Sequence, residues 1–394
     1  MRKVNIKQIV KKNSLIVEMI VIFALLTWLT GGMFLSLRNI SNILMQGCVY
    51  ATMGIGITFV LSSRHVDLSG GSIVGVLSTM GAVMQTWWHV NPWVTMAAMI
   101  VCGMAIGLWH GYWIAFHKLP AFVVTLSGQL IFRGIVLEVG EGRGIGPVDH
   151  EFTALGATYI PTINEDVNDT SIILMVIALA AVILSMLKQR SDRMRHNLSV
   201  PSKGRMALNI ALTSAVIIGF CMLFISYRGF PTAFVIMMAL ACIFTFVAQN
   251  TRYGRYVFAI GGNRDAAQMS GVNVRRIIMR IYMFQGMLIS IASILYLGRT
   301  GMATSAAGTG FEFSAITGAV VGGVSTLGGQ GTVFGAILGT FLVAGIDNAM
   351  SLLNLGSSWQ YVVRGGILLF AIAFDVYSKT GGAAKRKSKA PASV

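Results

Sequence analysis

Twelve apolar stretches separated by short polar connections run along almost the whole chain: 15–35, 43–63, 71–88, 93–116, 121–137, 171–187, 207–226, 232–249, 281–298, 314–328, 332–353 and 359–377. Most reach the roughly 17 to 25 residues that an α-helix needs to cross the hydrocarbon core of a bilayer. The tenth, 314–328, is short and glycine-rich and reads as a half-helix or re-entrant segment. The pattern predicts an all-α polytopic membrane protein with about 12 transmembrane helices, one of them a short Gly-rich broken segment. Within these stretches Gly103, Gly107 and Gly111 recur at every fourth position, as do Gly331, Gly335 and Gly339, with Gly71/Gly75 and Gly318/Gly322 as single pairs. Such faces let helix backbones approach closely in lipid. Two glycine-interrupted segments, SSRHVDLSGGSIVG (62–75) and GGVSTLGGQGTVFG (322–335), fall one in each half of the chain. Paired broken helices point to a transport path, because unwound backbone survives at membrane depth only where it lines a cavity.

The polar connections are asymmetric in charge. With the N-terminus placed in the cytoplasm, 24 of the 30 Lys and Arg fall on the inner side, in 1–14, at Arg64 and Lys118, and in 188–206, 250–280 and the C-terminal tail. The outer loops then hold Arg38, Arg143, Arg228 and Arg299, while Arg133 and Arg364 lie within spans. The asymmetry predicts both termini cytoplasmic. The domain reading is a basic cytoplasmic tail (1–14), a single transmembrane domain (15–377) with an inner loop 250–280 and an outer loop 138–170, and a second basic tail (378–394). The outer loop carries seven carboxylates and suits a soluble external partner.

Composition agrees with a membrane location. Hydrophobic residues make up 55% and charged residues 11% of the 394, against roughly 45 to 50% and about 25% in soluble domains. The net charge of +16 suits the anionic inner leaflet and does not call for nucleic acid. The apolar run after MRKVNIKQIVKK reaches spanning length with no small-residue cleavage site, so it reads as an uncleaved first helix. Cys48, Cys102, Cys221 and Cys242 stand alone in apolar runs and read as small buried hydrophobes. The chain has no phosphate loop, no H-E-x-x-H and no nucleophile elbow. No catalytic residue, metal site or bound cofactor is therefore expected, and any ATP must be used by a partner chain.

The segment Thr251 to Arg280 stands out among the connections. Asn263 is placed as an N-cap, Asp265 as a first-turn carboxylate and Gly271 as a left-handed residue after the last turn. A helix of about two turns is marginal alone and persists only when packed against its own loop or another protein, so the segment reads either as a docking element or as a surface turn that merely connects two spans.

The series NISNILMQ, HVDLSGGSIVG, LPAFVVTLSG with FRG, YGRYVFAIGGNRDAAQMSGVNV, VVGGVSTLGGQGTVFGAILG, DNAMS and WQYVVRG resembles the permease subunits of bacterial monosaccharide ABC importers, those for ribose, galactose and xylose. The likeness runs in order from about Leu37 to Asp375. An extra hairpin near 188–227 makes the chain most similar to the D-xylose or multiple-sugar branch, while Gly70 stands where that motif more usually has Val. The resemblance implies a bacterial inner-membrane permease homodimer that works with an ABC ATPase subunit carrying tandem nucleotide-binding domains and an extracytoplasmic sugar-binding protein. It also places ATPase coupling in Gly261, Gly262, Asn263, Asp265, Ala266, Ser270 and Gly271.

Membrane-embedded polar and aromatic residues offer a candidate sugar path: Gln46, Thr125, Gln129, Arg133, Trp113 and Asn348, with Trp109 and Gln285 beside them. The competing reading for each is interhelical hydrogen bonding or interfacial anchoring. Asp347 and Arg364 lie about six residues either side of the short connection 354–358, hence at similar depth, roughly 9 Å from the outer end. They are a candidate ion pair. An ABC permease for another small polar solute shares this architecture. An ion-coupled secondary transporter would place carboxylates near mid-membrane, whereas only Glu18 and Asp347 lie clearly within spans, both toward span ends.

Overall fold

The computed structural model describes residues 14–163, 168–200 and 202–387, with side chains given for 15–163, 168–200 and 202–377. Most of the N-terminal basic segment, Glu165 and Asp166 of the acidic loop, and the last seven residues lie outside the described residues. Every described element of length is a helix: α1 Ser14–Leu29, α2 Leu37–Ser62, α3 Gly70–Thr86, α4 Pro92–Phe116, α5 Ala121–Gly140, α6 His150–Gly156, α7 Asp169–Arg195, α8 Lys203–Ile225, α9 Thr232–Asn250, α10 Arg252–Gly262, α11 Arg264–Met269, α12 Val274–Thr300, α13 Phe311–Val321, α14 Val333–Leu352 and α15 Ser357–Lys387.

Each of the twelve apolar stretches contains one helix. Among the described residues nine of them, α2, α4, α5, α7, α8, α9, α12, α14 and α15, are long and apolar enough to cross a membrane. The other three are shorter, as expected for the tenth stretch alone. α1 ends at Leu29 because Gly31 and Gly32 turn left-handed (φ 60° and 87°) into a short 3-10 turn. α3 has 17 residues, and α13, inside the expected short tenth stretch, has 11.

The chain forms two compact units, residues 158–232 and the remainder. The smaller unit is the α7–α8 hairpin. Its open end is closed by paired backbone bonds, Ile160 N–H to the Phe230 carbonyl and Thr232 N–H to Thr158, each at 3.0 Å. The Ser171 hydroxyl accepts from Phe230 N–H, and the Arg228 guanidinium sits over the Tyr159 and Tyr227 rings.

In the larger unit α2 and α12 form the centre, with α2 94% buried across its most apolar window. The glycine ladder of α4 is the contact with α12. A Cβ at Gly107 would strike the Tyr282 carbonyl, and one at Gly103 would strike the Ser290 hydroxyl and the Gly286 carbonyl. α13 crosses α14 in the same way, where Gly339 meets the Gly318 carbonyl and Gly335 meets that of Gly322. Of the four cysteines only Cys48 and Cys221 are buried; Cys102 is half-buried and Cys242 is exposed.

Candidate functional site

At the end of the larger unit that carries Arg64, Lys118 and the 252–280 segment, three successive side-chain caps set the backbone. Thr251 Oγ1 accepts from Gly254 N–H at 3.2 Å, Asn263 Oδ1 from Ala266 N–H at 3.0 Å, and Asn273 Oδ1 from Arg276 N–H at 3.1 Å. α11 ends in a full Schellman closure: Gly271 is left-handed (φ 83°), its N–H bonds the Gln268 carbonyl, and Val272 N–H bonds Ala267. Ser270 donates its hydroxyl to Ala266 at 2.8 Å, and Asp265 occupies the first turn. Ala267 and Val272 face inward, whereas Met269 stands 91% exposed at the last turn. That apolar knob carries no sequence motif, and the sequence reading passes over it.

Gly261 packs where a Cβ would meet the Ser62 carbonyl and Gly329 N, while Gly262 has open space around it. Arg64 ties these elements, donating from Nε to the Leu327 carbonyl (2.7 Å) and from Nη2 to the Gly262 carbonyl (3.1 Å). Asp375 of α15 holds the same 322–332 loop through Thr326 N–H and Oγ1. A cleft of about 590 Å³ opens beside α11, lined among others by Arg64, His65, Lys118, Arg264, Asp265 and Gln268. Burial, with Arg264 adding to it, pushes the His65 imidazole down to about 4, so the positive charge of this cleft comes from Arg64, Lys118 and Arg264.

The second region lies halfway along the bundle. Residues 63–69 leave the end of α2 and turn back inward, so that α3 starts beside Met53, Ile289 and Glu312. From the opposite end, 301–310 sinks in to start α13, whose Phe311 ring lies 4.9 Å from that of Tyr50. Tyr50 is 13 residues from the start of α2 and 12 from its end, so both half-helices begin near mid-depth. The second interruption that reaches mid-depth is therefore 301–310, and not 322–335 as the glycine pattern suggests. The 322–332 loop stays at the basic end, where Gly329 N–H bonds the Ser62 carbonyl.

One face of α5 clamps both re-entrant segments. Thr125 Oγ1 accepts from Leu68 N–H at 3.2 Å, Gln129 Nε2 donates to Glu312 Oε1 at 3.1 Å, and Arg133 Nη1 donates to the Ser305 (3.2 Å) and Ala307 (3.1 Å) carbonyls. The spacing of four residues puts all three on one helix face. Their polar atoms are engaged within the chain, which is the interhelical reading of these positions. Asn348 is likewise engaged: it exchanges two amide hydrogen bonds with Asn39, at 2.8 and 2.9 Å. Gln46 lies beside the Tyr50 hydroxyl. Trp113 is half-buried with its ring against His117, and Gln285 is buried with neither amide atom partnered.

Near the opposite end Arg364 Nε lies 2.8 Å from Asp347 Oδ1, bridging α14 and α15. Two buried carboxylates are absent from the sequence reading. Glu312 (2% exposed) lies at mid-depth, and Asp67 is buried in the 63–69 segment with its Oδ1 on Ser69. Glu18, by contrast, is exposed. The expectation that only Glu18 and Asp347 lie clearly within spans is corrected by the addition of Glu312 and Asp67: a carboxylate flanked by glycine-rich loops reads as external until the long-range fold draws those loops inward.

The family described as "Branched-chain amino acid transport system / permease component" matches residues 39–192 and 197–372. The xylose transport system permease protein of Haemophilus influenzae is 37% identical over 365 residues, covering 93% of this chain and 96% of that protein. The xylose transport system permease protein of Escherichia coli K12 is 35% identical over 365 residues, covering 93% and 91%. The ribose import permease protein of the same strain is 28% identical over 367 residues, covering 93% and 94%. No solved structure matches the chain.

Proposed function

The chain belongs to the family of permease components of branched-chain amino acid transport systems, and on that premise we propose that it is the membrane-spanning permease of an ATP-driven monosaccharide importer. It is a multi-pass protein of the bacterial inner membrane. The observation that carries the sugar assignment is identity of 35 to 37% to two xylose permeases over 93% of the chain. The family description names amino acids, but the near-full-length relatives named above transport sugars. A pentose such as xylose is the first substrate to test.

The cycle divides between chains. Two copies of the permease enclose the path, a partner ATPase with tandem nucleotide-binding domains hydrolyses ATP, and an extracytoplasmic binding protein delivers the sugar. The basic end faces the cytoplasm, where α11 with Met269 and Asp265 offers a short, capped helix to the ATPase. Motion of α11 passes to the core because Gly261 packs on the end of α2 and Arg64 bridges α10 to the 322–332 loop. This chain supplies gating and holds no nucleotide.

Co-expression of the permease with the ATPase and binding protein encoded beside it tests this reading. A stable complex whose ATP hydrolysis is stimulated by sugar-loaded binding protein supports it. A permease that copurifies with no ATPase overturns it.

A further inference from the structure

Glu312 stands where the two half-helices meet. Its Oε1 takes the Gln129 amide at 3.1 Å, while its Oε2 is buried with no hydrogen-bond partner. Oε2 rests against the Cα of Gly71, in the first turn of α3, where an added Cβ would strike both Oε2 and the Gly308 carbonyl. The N-cap of α3 is Ser69, whose side chain makes no cap bond and is turned instead to Asp67. The opening amides of α3 therefore lack a local cap. Helix N-termini carry roughly half a positive charge, and at membrane depth there is no bulk water to satisfy them. The nearest basic side chain on the facing helix, Arg133, is engaged with the Ser305 and Ala307 carbonyls.

We propose that Glu312 is a positioning residue that caps half-helix α3 from the first turn of half-helix α13, so that the two re-entrant segments move as one body when the path changes its access. The carboxylate sets its charge against the positive end of α3, where an N-cap Asp would stand locally, but from 241 residues further along the chain. A local cap would stabilise α3 alone. A cap borrowed from α13 makes sliding of either half-helix break a buried charge–dipole contact.

The role in transport rests on the importer reading; the cap itself does not. Glu312→Gln keeps the side-chain volume and an acceptor for Gln129 while withdrawing the charge. In the reconstituted permease–ATPase complex with its binding protein, labelled D-xylose moved per ATP hydrolysed should fall about tenfold, the scale of one lost charged cap. Amide hydrogen exchange across 70–73 should rise by a similar factor, while that of α12 stays unchanged. Glu312→Asp, too short to reach Gly71, should behave like Gln. A transport-to-hydrolysis ratio within twofold of wild type would overturn the proposal. So would a loss confined to complex yield, with each assembled complex working normally. If the wild-type complex moves no sugar, the importer reading fails by itself, and exchange at 70–73 still decides whether Glu312 caps α3.

Discussion

Replacing Arg364 by Gln should cost far more than replacing its partner Asp347 by Asn. Asp347 is 2% exposed and depends on a single ion-pair contact at 2.8 Å, with Oδ2 unpartnered. Arg364 is 16% exposed and near a helix end, where a long side chain can turn its charge toward water. Arg364→Gln therefore strands a buried carboxylate, at a cost of about 3 to 5 kcal/mol. Asp347→Asn leaves a cation that can relax outward, at a cost of about 1 to 2 kcal/mol. The double variant replaces the pair by two neutral amides that can hydrogen-bond, so it should be less damaging than the sum by about 2 kcal/mol. The assay is reversible denaturant unfolding of the purified permease in mixed micelles, run on all four proteins. Additive losses, or an Arg364→Gln variant no weaker than Asp347→Asn, would refute the reasoning.

Three further outcomes are expected. Met269→Asp and Gly271→Val should abolish ATPase copurification while the permease still inserts and accumulates, because α11 lies at the end of the bundle and the strain of Val at φ 83° falls on the closing turn of α11 alone; retained ATPase binding would remove α11 from the interface. Asn348→Ala should lower stability by about 1 to 2 kcal/mol through loss of the reciprocal amide pair, and adding Asn39→Ala should cost little more; a second full loss would show that the two amides act separately. Gly107→Leu should prevent accumulation of folded permease, because the α4–α12 contact has no room for a Cβ, while Gly134→Leu, in open space, should be tolerated; equal expression of both variants would contradict the packing.

What was legible in the sequence was local or nearly so. Asn263, Asp265 and Gly271 occupy cap positions that depend on a few neighbours. Asp347 and Arg364 could be matched because a short connection forces α14 and α15 antiparallel and so equates depth with sequence distance. What failed to show depends on folds that bring distant segments inward. Glu312 looked external because 301–310 reads as a surface loop until Arg133 and Gly71 hold it within the bundle. The glycine pattern likewise marks 322–335, although its glycines serve the α13–α14 crossing and a turn at the basic end. For Thr125, Gln129 and Asn348 the sequence leaves a sugar path and interhelical bonding side by side, because it cannot show that Leu68, Glu312 and Asn39 sit opposite them.

The central claim is that this chain forms the membrane path of an ATP-driven sugar importer. Its most direct test is uptake of labelled xylose, ribose and galactose into proteoliposomes holding the complete complex, with binding protein outside and ATP within. The account predicts accumulation of at least one of these sugars against its gradient, abolished by vanadate and by omission of the binding protein. Uptake that persists without ATP and collapses with the proton or sodium gradient would contradict it.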